Sequence, residues 1–70
     1  MSNLEDFEAY EKEVRDGYAG HTIDFLMKQY EISVDIKREC DPVALPIIFK
    51  RVSIMQKVLL EELDKQGYLQ

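Results

Sequence analysis

The sequence predicts an all-α domain of three helices, built on an antiparallel helical hairpin with a proline-containing turn. Three observations lead to this prediction: apolar residues recur at helical spacing in three segments, glycines and prolines separate those segments, and only one short stretch alternates like a strand. The predicted helices cover about residues 3–16, 22–39 and 46–66. The 70 residues form one domain, because so short a chain cannot build two cores.

A capping pattern and an apolar stripe predict the first helix. Ser2 and Glu5 have the spacing of a capping box, in which each side chain binds the backbone amide of the other residue. The apolar residues on one helical face are Leu4, Phe7, Val14 and Tyr18. Two ion pairs at i, i+4 spacing support the helix, namely Glu8 with Lys12 and Glu11 with Arg15. Gly17 and Gly20 both disfavour helix, so we expect a C-cap at Gly17 and a tight reversal after it.

The second helix has the clearest apolar stripe in the chain. Thr22 is its predicted N-cap, and the stripe consists of Ile23, Leu26, Met27, Tyr30 and Val34. The letters YEISVDI, residues 30–36, also alternate apolar and polar, which is typical of a strand. A lone strand would need an edge from another chain, because no other segment alternates comparably. We therefore predict a helix that ends near Glu39 and keep the strand as the alternative.

The only two prolines, Pro42 and Pro46, lie in the connection that follows. Asp41 suits an N-cap and Pro42 suits a first helical position, where a missing N–H has no cost. Pro46 disfavours helical geometry at the residue before it, so either the last helix begins at Pro46 or a separate 3₁₀ turn precedes it. Both alternatives reverse the chain. Cys40 is predicted to be a small buried apolar group rather than a reactive thiol.

The last helix carries a main apolar stripe of Ile48, Val52, Met55, Leu59 and Leu63, widened by Phe49 and Leu60. Gly67 is its predicted stop. A second apolar seam lies beside each main stripe, and we predict that these two seams form a partner interface. They consist of Phe25, Ile32 and Ile36 on the second helix and Ile47, Ile54 and Val58 on the last helix.

A cover is needed for these seams, because a helical hairpin hides only one face of each helix. The first helix is one candidate cover, which would give a closed monomer. The other is a protein partner, either a second copy in a homodimer or a larger protein.

The net charge of −5 lies almost entirely in the N-terminal third of the chain. Up to Asp24 there are seven acidic and two basic residues, whereas seven of each follow. The predicted acidic face consists of Glu5, Glu8, Glu11 and Asp16. This distribution argues against nucleic acid as a ligand, because phosphate binding depends on clustered lysine and arginine. An acidic face suits a basic protein partner or serves solubility.

Catalytic, metal and cofactor sites have little support in the sequence. His21 is the single histidine and Cys40 the single cysteine, which falls short of the four ligands of a structural zinc. A catalytic nucleophile with its base, oxyanion site and pocket would have to come from the few residues that remain. We therefore predict no enzyme activity, no cofactor and no metal. The start of the chain lacks a signal peptide and no apolar run reaches membrane length, which predicts a cytoplasmic protein without a membrane partner.

These observations predict a small, non-enzymatic protein-protein interaction module that acts as a regulator, inhibitor or accessory subunit by occupying a surface. Two alternatives remain. The stretch FLMKQYEISVDIKREC loosely resembles a degenerate helix-turn-helix that binds nucleic acid, with the Ile-Ser start of a recognition helix followed by Lys37 and Arg38. The second alternative is an acidic nucleic-acid mimic from a mobile element, in which the carboxylate row of the first helix imitates a phosphate backbone.

Overall fold

The computed structural model describes residues 7–68 of the chain, and these residues form three helices joined by two short connections. Helix α1 spans Phe7–Tyr18, α2 spans Ile23–Glu39 and α3 spans Pro46–Lys65. The predicted all-α, three-helix domain is confirmed. Residues 30–36 are helical, so the strand alternative is wrong. The capping box of residues 2 and 5, Leu4 and the predicted start of the first helix lie outside the described residues.

Helix α1 ends later than the sequence predicts. The C-cap expected at Gly17 is wrong, because the helix continues to Tyr18 and the Ala19 N–H still donates to the Arg15 carbonyl at 3.0 Å. The reversal occurs at Gly20, whose φ of 80° lies in the left-handed region that glycine adopts without strain. A glycine inside a helix costs about 1 kcal/mol relative to alanine. The packing of Tyr18 against the core offsets that cost.

Helix α2 begins with the predicted cap at Thr22. The Thr22 backbone is extended, and its hydroxyl oxygen accepts a hydrogen bond from the Phe25 N–H at 3.2 Å. At the other end, the Cys40 N–H donates to the Lys37 carbonyl, and the positive charges of Lys37 and Arg38 lie near the negative end of the helix dipole. These terminal contacts fix α2 as one uninterrupted helix of 17 residues.

The proline-containing connection is a compact turn. Asp41 organises it: its carboxylate accepts from the Val43 N–H at 2.9 Å and its carbonyl accepts from the Leu45 N–H at 2.8 Å. Helix α3 then begins at Pro46, which is one of the two predicted alternatives. Cys40 is buried at this turn, as predicted.

Helix α3 ends in a Schellman motif at the predicted glycine. The Tyr68 N–H donates to the Leu63 carbonyl at 3.0 Å, and the Gly67 N–H donates to the Asp64 carbonyl at 2.9 Å. Gly67 has a φ of 80°, which this motif requires. The last carbonyls of the longest helix therefore have backbone partners.

Helix α3 lies between the other two helices. Helix α2 runs antiparallel to it, since the Gln66 side chain donates to the His21 carbonyl at 2.7 Å and the Lys37 amine donates to the Gln56 side chain at 3.3 Å. Helix α1 packs on α3 as well, whereas α1 and α2 scarcely contact each other. The predicted antiparallel hairpin is therefore the centre of the fold, and α1 is attached mainly to α3.

The core lies between α2 and α3. Leu26, Leu59 and Leu63 form a buried cluster, and the partly buried side chains around it are Tyr18, Ile23, Met27 and Tyr30. One polar side chain, Ser33, is fully buried beside this core, and its hydroxyl donates to the Tyr30 carbonyl at 2.6 Å. That bond satisfies the hydroxyl without a partner from another helix.

Candidate functional site

The apolar seam predicted on the last helix is mostly covered. Val58 is fully buried and Ile54 is 7% exposed, whereas Ile47 remains 49% exposed. Helix α1 provides the cover, since Phe7 and Glu11 line one hollow together with Ile54. Ile54 and Val58 therefore do not belong to the exposed surface, which corrects the predicted seam. The physical reason is that α1 packs on the side of α3 that does not face α2.

Charged and aromatic side chains hold α1 against α3. The Arg15 guanidinium pairs with Glu61 on α3 and with Glu11 on its own helix, the latter at 2.5 Å. The Lys57 amine on α3 lies 3.4 Å from the same Glu11 carboxylate. The i, i+4 pair of Glu11 with Arg15 was predicted, but Lys12 pairs with Asp16 rather than with Glu8.

Two cation-π contacts lie along the same junction. The Lys50 amine is 5.8 Å from the centre of the Phe7 ring, and the Arg51 guanidinium is 5.3 Å from the centre of the Tyr10 ring. Together with the ion pairs they show that α1 runs parallel to α3, because residues farther along α1 meet residues farther along α3. No residue of α1 is fully buried.

The predicted acidic face is divided by these contacts. Glu11 lies at the junction with α3, Glu8 is exposed, and Asp16 is exposed beside Lys12. Glu5 lies outside the described residues. The hydrogen bond from Arg15 is the largest cause that lowers the pKa of Glu11, partial burial opposes it, and Lys57 lowers the pKa further. Glu61 and then Glu11 raise the pKa of Arg15, so this guanidinium stays charged.

We expect the substitution Glu11→Gln to lower the melting temperature near pH 7 by a few degrees. Because the folded state lowers the pKa of Glu11 below its ordinary 4.5, the ionised carboxylate stabilises the fold fully above that pH. The contribution is lost as the pH falls through the folded pKa. Melting curves at several pH values should therefore show the variant and the unmodified chain converging in acid. Glu13→Gln, an exposed position on the same helix, is the control, and an equal effect there would contradict the role of Glu11.

The apolar seam on α2 is open to solvent. Phe25 is 38% exposed, and Ile32 and Ile36 are each 42% exposed. The three side chains share one side of α2, adjacent to the side that packs on α3 through Leu26 and Ser33. Helix α1 leaves most of this seam uncovered, because it packs mainly on α3 and approaches the seam through Tyr18 at its end. The predicted seam on α2 is therefore an exposed surface, and its role as an interface remains a prediction.

A hollow at the proline-containing turn extends this surface. Ile36, Leu45 and Ile48 line it together with Cys40, and its volume is about 390 Å³. Asp35 and Glu39 also line it, so two acidic residues border the apolar ones. We call four exposed residues the apolar surface: Ile32, Ile36, Leu45 and Ile48.

Leu45 and Ile48 were not predicted for this surface. Ile48 was expected in the main stripe facing the core, yet it is 45% exposed. It lies in the first turn of α3, beside the last turn of α2, where the hollow that it shares with Ile36 leaves it open to solvent. The signal in the sequence was its position only two residues after Pro46.

An aromatic contact fixes the far end of the α2 seam. The His21 ring stacks on the Phe25 ring with centres 4.1 Å apart, and the Tyr18 ring lies 6.4 Å away in a tilted arrangement. Tyr18 at the end of α1 and His21 in the following turn both support Phe25. The Phe25 ring is therefore fixed by its neighbours, although more than one third of the residue is exposed.

Within residues 7–68, no cluster of three or more histidine, cysteine, aspartate or glutamate side chains is arranged to hold a metal ion. Across the same residues, no helix combines the length and the apolar character that crossing a membrane requires. Cys40 is a free, buried thiol. Comparison with protein-family models, with curated protein sequences and with solved structures found no match to this chain.

Proposed function

We propose that this chain is a non-enzymatic protein-protein interaction module. It acts by occupying a surface of another protein molecule, and regulator, inhibitor and accessory subunit are the roles that such occupancy serves. The apolar surface is the single observation that carries the proposal. A free chain gains nothing from holding Ile32, Ile36 and Ile48 in water, whereas a binding partner would be stabilised by covering them.

The expected free energy supports binding. Burying one full aliphatic side chain contributes about 1.5–3 kcal/mol. Each residue of the apolar surface keeps roughly two fifths to one half of its area exposed, so covering all four contributes about 3–5 kcal/mol before the cost of association. This amount is similar to the whole folding stability of some domains of this size. The charged rim must supply further contacts, because a standard interface covers about 800 Å² on each partner.

The fold does not favour the nucleic-acid alternatives. A helix-turn-helix needs a turn inside the segment from Phe25 to Cys40, but α2 continues through it to Glu39 without a break. The mimic needs a continuous free carboxylate row, but Glu11 is paired with Arg15 and Lys57. We therefore propose neither.

The free thiol fits a reducing compartment, and we propose the cytoplasm as the location. The buried position of Cys40 next to the apolar surface also means that a partner seated there would shield it further.

Photo-crosslinking in living cells tests the proposed function. In one variant a photoreactive phenylalanine analogue replaces Ile36 in the apolar surface. In the matched control it replaces Asp64, an exposed residue of α3. We expect a discrete protein adduct from position 36 after irradiation and none from position 64. Intact mass then shows whether the adduct contains a second copy or a different protein.

Two outcomes of this experiment would overturn the proposed function. One is the absence of any adduct at position 36 when the protein is present at its normal level. The other is an equal pattern of adducts at positions 36 and 64, because nonspecific collision would then explain both.

A further inference from the structure

One line of residues on α2 has the spacing of a coiled-coil seam. Phe25, Gln29, Ile32 and Ile36 are separated by four, three and four residues, which places them along one line of the helix. Leu26 and Ser33 flank this line on the side that packs against α3. The other flank of the seam is free for a second helix.

Two residues of opposite charge on that free flank can pair between two copies. Lys28 and Asp35 lie seven residues apart beside the seam, in equivalent positions. When two α2 helices pack antiparallel, Lys28 of each copy faces Asp35 of the other, which gives two opposite-charge pairs. A parallel arrangement would place Lys28 opposite Ser33, which is fully buried against α3. Asp35 also pairs with Arg38 at 3.2 Å, whereas Lys28 has no ion pair within residues 7–68.

The same antiparallel register places the Phe25 ring of one copy next to the hollow of the other copy. With Gln29 of one copy beside Ile32 of the other, Phe25 of one copy meets Ile36 of the other. Ile36 forms a wall of the 390 Å³ hollow at the proline-containing turn. The hollow is open to solvent, so a side chain from a second copy can enter it. By symmetry each copy provides one ring and one hollow.

We propose that this chain forms a two-fold symmetric homodimer in which the α2 helices pack antiparallel and Phe25 of each copy enters the hollow of the other. The proposal rests on the proposed function, since it names a second copy as the partner of the same surface. Helix α1 leaves the α2 seam open because it packs on α3. The dimer is concentration-dependent, because the apolar surface is smaller than that of obligate dimers.

Sedimentation equilibrium of four proteins tests this pairing: the unmodified chain, Lys28→Glu, Asp35→Lys and the double variant. The unmodified chain should dimerise, and each single variant should weaken the dimer about tenfold, because two like-charge contacts replace two opposite-charge contacts. The double variant restores opposite charges and should recover the affinity to within about threefold. Lys12→Glu on α1, far from the seam, is the control and should leave the dimer unchanged.

Two results would overturn the homodimer. A chain that stays monomeric at every concentration has no self-pairing surface. A dimer that tolerates both single variants pairs through another surface. Neither result touches the proposed function, because crosslinking at position 36 detects a different protein as readily as a second copy. Circular dichroism of all variants confirms that each one is folded.

Discussion

Replacing Leu59 with alanine should destabilise the domain by about 2–5 kcal/mol, the range for a leucine removed from a closed core. Leu59 is fully buried and contacts the cluster that joins α2 to α3. Domains of about 70 residues have a total stability of roughly 4–10 kcal/mol, so this single change removes much of it. Chemical denaturation followed by circular dichroism measures the loss.

The neighbouring residue provides a matched control. Leu60→Ala makes the same chemical change one position along, where the side chain is 37% exposed. We expect it to cost less than half as much. If the two substitutions have equal effects, α3 does not present Leu59 to the core, and the arrangement of the hairpin is incorrect.

Replacing Val58 with aspartate should cost about 3–5 kcal/mol, because an unpaired carboxylate would be left in a fully buried position. Val58 lies on the side of α3 that α1 covers, so the variant should also release α1. Hydrogen exchange followed by mass spectrometry reports both effects: the amides of α1 should lose protection before those of α2 and α3.

Ile47→Asp tests the same prediction on the same side of α3. Ile47 is 49% exposed, so its carboxylate stays in water and the stability should change by less than about 1 kcal/mol. A Val58→Asp chain as stable as the Ile47→Asp chain would show that α1 does not cover α3.

Local features predicted the three helices well because each helix carries its own signals. The stripe from Ile23 to Val34 has helical spacing, Thr22 caps the start of α2, and Gly67 ends α3 with a left-handed backbone. Such signals depend on neighbours a few residues apart, which a single sequence displays directly. Residues 30–36 are helical despite their strand-like alternation, because tertiary packing outweighs intrinsic propensity.

The side on which α1 packs could not be predicted in the same way. Periodicity showed that the last helix had two apolar seams, but not which one an added helix would cover. Ion pairs between residues 46 positions apart, Arg15 with Glu61 and Lys57 with Glu11, contribute to that choice. Charges are common on every helix surface, so these pairs are visible only in three dimensions.

The candidate surface was predicted in part. The α2 seam is exposed as expected, while Ile54 and Val58 are covered and Leu45 and Ile48 take their place. Exposure at Leu45 and Ile48 follows from where α2 ends and how the turn leaves the first residues of α3 uncovered. These are properties of the whole arrangement, and no single helix encodes them.

Methyl NMR spectra of isoleucine-labelled protein over a dilution series test the central claim most directly, since four of the six isoleucines are exposed, one is partly buried and one is buried. Resonances of Ile32, Ile36 and Ile48 should shift or broaden as the protein concentration rises, whereas buried Ile54 should stay unchanged. If Ile54 responds while Ile32 and Ile36 do not, or if no isoleucine responds up to near-millimolar protein, the apolar surface is not where two copies meet.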